Sequence, residues 1–368
     1  MKPLKQLSIL RLPFRAMEEV SKGMHSIIKM ISNRRDNKFP ILCLPFLAIE
    51  EIFKTMDPIE IINFSLISKR TRTVAKLMSF YSKYLVHLYV RNFTLDIGLL
   101  GTKKMVTCTY IMTSDKKMNG KSEEKEQNGC IEREVYNYSK NPVEEWKQLS
   151  THVLDIFKKQ AIDGLLMQMD AFVDQNISII NFFKVTEKPV NNCFLYQLNH
   201  QNNVDANVAY LLNSVTINNS LDTWLDIKKY YFDGKIPKNL KGLNINNSRW
   251  IGYERLLEID SKNVTLENDK ISNKEWNLFL KKWIAMETNV NLEFLQLSRK
   301  HLETFRAHVL HDIPHEVVDG EVKRLLKTVR NKSTEINGGI DIRRIDGKTA
   351  TFFVYREFWT ESLAISIH

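Results

Sequence analysis

The chain has 368 residues, 43% hydrophobic and 26% charged, which is ordinary for a soluble globular protein and long enough for two domains with sizeable cores. Its net charge of +10 would suit nucleic acid or an anionic membrane, but Lys and Arg are spread along the chain and no nucleic-acid motif is present, so neither partner is expected. Cys43, Cys108, Cys130 and Cys193 lie far apart without metal-ligand or redox spacing, and the longest apolar run, 39–49, is broken by two prolines, so free thiols in an intracellular (cytoplasmic or nuclear) protein, with no membrane span and no cofactor, are expected.

The first element in chain order is a partial repeat. Ile9, Leu10, Leu12, Pro13, Phe14, Ala16, Glu18, Glu19, Lys22 and Met24 recur 32 residues later as Ile41, Leu42, Leu44, Pro45, Phe46, Ala48, Glu50, Glu51, Lys54 and Met56. Glu18 and Glu19 argue against a mitochondrial presequence. The first copy has His25, Ser26 and Ile28 where the second has Asp57, Pro58 and Glu60, so it lacks the signals that start a second helix. Residues 1–38 therefore read as a truncated duplicate, expected to be poorly ordered and dispensable for docking.

The second copy spells three short helices. Ile49, Ile52, Phe53 and Met56 recur at helical spacing on one face, with Glu50, Glu51 and Lys54 opposite. Asp57, Pro58 and Glu60 supply an N-cap acceptor, a proline at the first helical position and a reciprocal capping carboxylate. The helix they start carries Ile61, Ile62 and Leu66, and Ser68 caps a third through Val74, Ala75 and Met78. Three short helices opened by Leu44-Pro45 and broken at Asp57-Pro58 resemble the F-box, the segment that attaches substrate receptors to the Skp adaptor of Skp/cullin/F-box ubiquitin ligases, in its large nematode branch. The resemblance implies adaptor contacts from Leu44, Pro45, Phe46, Ile49, Ile52, Phe53, Pro58, Ile61, Ile62 and Leu66.

Beyond residue 84, alternation and β-branched content predict strands over 84–95 and 104–113 and a returning strand over 130–138. The polar stretch 115–128 reads as a mobile loop. Trp146, Leu149, Val153 and Phe157 mark a helix over 143–157. From about residue 204 the pattern becomes repeat-like. Strands are predicted at 215–217, 243–245, 264–266 and 292–297, close to a leucine-rich-repeat period. Helices are predicted around Leu221, Trp224, Leu225 and Tyr231, then Trp250, Leu256 and Leu257, then Trp276, Phe279, Leu280, Trp283 and Ile284, the last opened by Ser272 and Glu275 at capping-box spacing. Irregular spacing keeps a single α/β domain with an ordinary open sheet as the competing reading. The fold class is α+β: a three-helix F-box over 39–84, then an α/β, leucine-rich-repeat-like domain over 85–368.

Candidate catalytic sites fail on inspection. His308, His311 and His315, with His301, Asp312 and Glu316, are the densest set of possible metal ligands, but Pro314 interrupts the helix that would gather them. Gly347-Lys348-Thr349 lacks the preceding glycine of a phosphate-binding loop, since Ile342 stands there, and Asp346-Gly347 reads as a tight turn between strands over 342–345 and 350–355. Gly338-Gly339 reads as another turn. No nucleophile-elbow serine or marked Cys and His pair is present.

The segments 235–243, 272–283, 291–295 and 341–347 resemble the F-box-associated domain of nematode F-box proteins. The resemblance covers roughly residues 39–355. It implies a non-catalytic receptor that docks to the Skp adaptor, and through it to a cullin, while its C-terminal domain holds a protein substrate. Alternation on parallel strands would leave Thr216, Asn244, Thr265 and Glu293 on a face free for that substrate. A protein-interaction scaffold that never meets a ligase, and an enzyme with convergent distant residues, are the alternatives.

Overall fold

The structure, a computed structural model, describes residues 40–78, 84–101, 107–127, 129–229, 231–298, 300–328, 332–357 and 360–368. The truncated duplicate therefore lies outside the described residues. The chain divides into two units, residues 1–80 and 81–368.

The first unit is built from its caps. A 3-10 turn over Pro40–Cys43 leads to α1 (Phe46–Thr55), whose first amides, those of Ala48 and Ile49, donate to the Pro45 carbonyl at 2.9 and 3.1 Å. At α2 (Pro58–Leu66) the Asp57 carboxylate accepts from the Glu60 amide at 2.8 Å while the Glu60 carboxylate accepts from the Asp57 amide at 3.0 Å, so two orphan donors are satisfied reciprocally. Ser68 and Thr71 form the same reciprocal cap at α3 (Lys69–Leu77), with a threonine hydroxyl in place of the usual carboxylate. Ile49, Phe53, Met56, Ile61, Ile62, Ala75 and Met78 are buried, and Phe53 meets Phe64 edge to face at 5.2 Å.

Among the described residues the second unit is one 15-stranded sheet with helices. Its parallel centre runs β1 (Tyr84–Arg91), β6 (Ile162–Gln168), β7 (Val190–Tyr196), β8 (Ile217–Trp224), β9 (Leu240–Ile245), β10 (Ser261–Leu266) and β11 (Phe294–Ser298). On one flank, β2 (Thr94–Gly101) and β3 (Thr107–Thr113) continue antiparallel from β1, then β5 (Cys130–Tyr138), with β4 (Ser122–Gln127) at the edge. On the other, β15 (Thr360–Ile367), β14 (Thr349–Glu357), β13 (Ser333–Arg343) and the edge strand β12 (Glu316–Lys327) run antiparallel.

Register explains why the centre holds together. Leu88, Leu165, Cys193, Leu221, Leu243, Val264 and Leu295 are successive partners across the parallel strands, all nearly inaccessible to solvent. Two residues on, Val90, Met167, Leu195, Thr223, Ile245, Leu266 and Leu297 form a second buried row. Strands joined in constant order by crossovers of one hand place their connecting helices on one side of the sheet. Those connections carry α4 (Pro142–Ile156), α5 (Asn176–Thr186), α6 (Asp205–Ser214), α7 (Tyr253–Glu258) and α8 (Asn273–Ile284), which supply the buried Trp146, Phe183, Leu211, Leu256, Trp276 and Trp283. After β11 comes α9 (Leu302–Val309).

Several expectations change. The helix expected around Leu221, Trp224, Leu225 and Tyr231 is not found: Leu221 and Trp224 belong to β8, and among the described residues no helix lies between β8 and β9. Leu221 and Leu225 are buried on one side of the extended backbone, so their four-residue spacing serves a period of two as well as a helix. The predicted strand over 84–95 is two, β1 and the first residues of β2, joined through Phe93 at φ +67°. The polar stretch 115–128 contains a 3-10 turn (Lys116–Met118) and β4, recruited by pairing with β5 rather than by its own apolar content. Gly338 and Gly339 are no turn: they sit inside β13 with φ +64° and +119°, opposite the irregularity between Val318 and Lys323 in β12. The strand and helix alternation begins at Ile162, earlier than residue 204, and strand starts at 162, 190, 217, 240, 261 and 294 keep no fixed period.

Candidate functional site

The N-terminal unit exposes what a helical bundle of its size would bury. Phe46 is 51%, Leu47 73%, Leu66 54% and Ile67 65% exposed, and Leu44 and Leu77 are also open to solvent. The Arg70 guanidinium donates to the Leu42 carbonyl at 3.2 Å, which ties the α2–α3 corner to the segment leading into α1. The apolar side chains of 44–47 and of 66–67 thus flank one contact. Of the ten residues expected to meet an adaptor, Leu44, Pro45, Phe46 and Leu66 are exposed and Ile52 is half-buried, while Ile49, Phe53, Pro58, Ile61 and Ile62 lie in the interior and hold the helices together. Leu47 and Ile67 were missed because their places on the helices give no signal until the buried face is known.

In the sheet, the face opposite the buried rows is chemically mixed. One row reads His87, Gly164, Asn192, Ser220, Gly242, Asn263 and Phe294, and the next Tyr89, Leu166, Phe194, Asp222, Asn244, Thr265 and Gln296. Gly164 is required by its neighbour, since a Cβ there would stand 2.9 Å from the His87 ring. Burial lowers the His87 pKa, and the Tyr89 hydroxyl lies 3.3 Å from His87 Nδ1. Phe194 stacks on Tyr196 at 5.6 Å and meets the half-exposed Trp224 at 6.0 Å, an aromatic patch beside the polar rows. Toward the other end, Phe294, Leu326, Phe353 and Ala364 pack together and close the face.

Between patch and cluster lies an open cavity of about 410 Å³, lined by Asn192, Ser220, Asp222, Lys241, Asn244 and Thr265 among others. Several of its polar groups are already engaged: Asn192 Nδ2 donates to the Asp163 carbonyl at 3.0 Å and Ser220 Oγ to Asn192 Oδ1 at 3.0 Å. Asn244 Oδ1 is inaccessible to solvent and makes no hydrogen bond among the described residues. Of the four expected substrate residues, Asn244 and Thr265 are register partners here. Thr216 precedes β8 and lines a separate crevice of about 820 Å³ with Lys235, Lys238 and Arg255. Glu293 precedes β11 and pairs with Lys262 at 2.7 Å. The alternation Ser220, Asp222, Trp224 could have revealed the β8 members had the segment been read as a strand.

Among the described residues no group of three or more His, Cys, Asp and Glu could hold a metal ion. His311 Nδ1 lies 3.2 Å from the His308 carbonyl oxygen and His315 Nδ1 2.9 Å from that of Ile313, so these rings sit against local backbone. Cys108 and Cys193 are buried and form no disulfide, and no helix among the described residues is long and apolar enough to cross a membrane.

The F-box domain family model matches residues 41–83, a span that includes α1, α2 and α3. The F-box associated family model matches residues 231–297, from the segment before β9 into β11. The chain carries an F-box and an F-box-associated domain. No curated protein and no solved structure matches the chain. The F-box-associated match falls within the parallel half of the sheet and includes Asn244 and Thr265, but not β6–β8 or the β12–β15 flank. F-box proteins are generally adaptors rather than enzymes.

Proposed function

We propose that this F-box protein is a substrate-recognition subunit of a Skp/cullin/F-box ubiquitin ligase. The F-box would dock to the Skp adaptor, and the F-box-associated sheet would hold a protein substrate for ubiquitin transfer by other subunits, this chain forming no covalent bond itself. The observation that carries the reading is the exposed apolar set Leu44, Phe46, Leu47, Leu66 and Ile67 on a unit whose interior is filled by Ile49, Phe53, Ile61 and Ile62 and whose second and third helices carry capping boxes. Exposed clusters of large apolar side chains mark interaction sites, and burying them against a partner supplies the driving force. The open strand face, with its polar rows and the aromatic patch of Phe194, Tyr196 and Trp224, supports a substrate role for the larger unit. The F-box-associated match over residues 231–297 supports the nematode branch as part of the same proposal.

Binding of purified Skp adaptor to wild type and to Phe46→Asp/Leu66→Asp, measured by calorimetry, tests the docking. Both side chains are outside the core, so circular dichroism should be unchanged while affinity falls at least tenfold, because carboxylates desolvate poorly in an apolar contact. Undiminished affinity in the folded variant would overturn the assignment. Ile49 and Phe53 are unsuitable for this purpose, since carboxylates there would disrupt the interior.

A further inference from the structure

On the strand face one arrangement of ring and carboxylate occurs twice. In the first instance Tyr89 of β1 stands opposite Asp96 of β2, and Arg91, two residues along from Tyr89, shares its face. The Arg91 guanidinium lies 4.4 Å from the centre of the Tyr89 ring, and its Nε is 3.3 Å from Asp96 Oδ2. One guanidinium is thus held between a ring face and a carboxylate, a position that the ring quadrupole and the opposite charge both favour.

The second instance lies on β7 and β8. Phe194 stands opposite Asp222 as Tyr89 stands opposite Asp96, but the place two residues along, held by Arg91 in β1, is held by Tyr196 in β7, and Tyr196 faces Trp224. This block of four therefore has three rings and a carboxylate and no cation of its own. The planes of Phe194 and Trp224 are 68° apart, so the rings form a corner, and Trp224 is half-exposed. Asp222 opens into the neighbouring cavity of about 410 Å³. Although the chain carries a net charge of +10, the strand residues on this face from β6 to β10 include no lysine or arginine. Past the strand ends the charges are mixed: Asp226 pairs with Lys228, Asp170 accepts from the Leu198 and Asn199 amides, and Arg249 lines a separate hollow of about 420 Å³ with Trp224 and Asp226.

We propose that this corner takes an arginine side chain of the substrate, so that the strand face selects a basic protein segment, its guanidinium laid against the rings of Phe194 and Trp224 beside the Asp222 carboxylate. A planar guanidinium stacks on a ring while pairing with a carboxylate, as Arg91 does, which a compact ammonium does less well. The inference rests on the reading that the strand face holds the substrate, and it names the class of that substrate.

The test measures fluorescence anisotropy of labelled dodecapeptides, in which serine alternates with arginine, citrulline or glutamate, against the full chain. The arginine peptide should bind at least tenfold more tightly than the uncharged citrulline peptide, and the glutamate peptide more weakly than either. Asp222→Asn and Trp224→Ala should each weaken the arginine peptide at least fivefold with circular dichroism unchanged. Tyr196→Arg, which supplies the cation from within as β1 does, should weaken it as much. No preference for arginine over citrulline, tighter binding of the glutamate peptide through Arg249, or folded variants that bind as wild type does would each overturn the proposal. Cross-linking of an arginine peptide carrying a photoreactive group to wild type gives a readout that does not depend on the variants folding: cross-links should map to β7 and β8, and cross-links confined to other segments overturn it. The underlying reading fails separately. If Asn244→Arg/Thr265→Arg loses a substrate found by proximity labelling while Asp222→Asn and Trp224→Ala retain it, the strand face holds the substrate but the arginine corner does not, whereas retention by all of them removes the strand face itself.

Discussion

The carboxylate of Asp96 stands opposite Tyr89 on the strand face, with Arg91 Nε 3.3 Å from Oδ2 and no hydrogen-bond partner for Oδ1. Burial pushes its pKa up to about 6, helped by Glu134 and opposed by Arg91 and Thr94. Because the folded state holds this proton more tightly than the unfolded chain, folded protein binds more protons between pH 4 and 6, and stability falls as pH rises through that window. The ionised form costs about 3 kcal/mol at neutral pH relative to an unperturbed carboxylate. Asp96→Asn should therefore raise the urea midpoint at pH 7.5 and leave it nearly unchanged at pH 4. An equal shift at both values would assign the effect to packing instead of charge. Neither the burial nor the shift was legible in the sequence, where Asp96 falls one residue beyond the predicted strand over 84–95; only the β1–β2 register puts it under Tyr89.

At the scale of elements, what was legible was local. The capping boxes at Asp57 and Ser272 each close within four residues, so the helix starts at Pro58 and Asn273 follow from sequence alone. Ser272 Oγ accepts from the Glu275 amide at 3.3 Å and the Glu275 carboxylate accepts from the Ser272 amide at 2.8 Å. Ser272→Ala should cost about 1 kcal/mol, read as a lower urea midpoint with an unchanged slope. Elements made by distant partners were not legible. β4 becomes a strand only through β5, and β8 only through β7 and β9, which decide between two periods that Leu221, Trp224 and Leu225 satisfy together. The same limit split the substrate residues: Asn244 and Thr265 lie well inside their strands and share a face, whereas Thr216 and Glu293 each sit one residue before a strand begins. For the truncated duplicate, which lacks the Asp57, Pro58 and Glu60 equivalents, deletion of residues 1–35 should leave Skp adaptor affinity within about twofold, a change of less than about 0.5 kcal/mol; a larger loss in a folded protein would show that the first copy takes part.

At the scale of the whole chain, the two candidate contacts fall in different units, and each is complete within its own. The apolar set from Leu44 to Ile67 lies in residues 1–80, and the strand-face cavity in residues 81–368. The two contacts share no residue, so loss of one should leave the other intact. Asn244→Arg/Thr265→Arg places two long charged side chains in the cavity of about 410 Å³, on residues half-open to solvent and outside the buried rows. The variant should fold, bind Skp adaptor with wild-type affinity, and lose most of its capture of a substrate identified by proximity labelling. Phe46→Asp/Leu66→Asp should show the reverse, weak adaptor binding with full substrate capture. If the cavity variant captures substrate normally while changes at Thr216, Lys235 and Lys238 abolish capture, recognition belongs to the crevice of about 820 Å³ beside α6 and α7, and the strand face is not the substrate site.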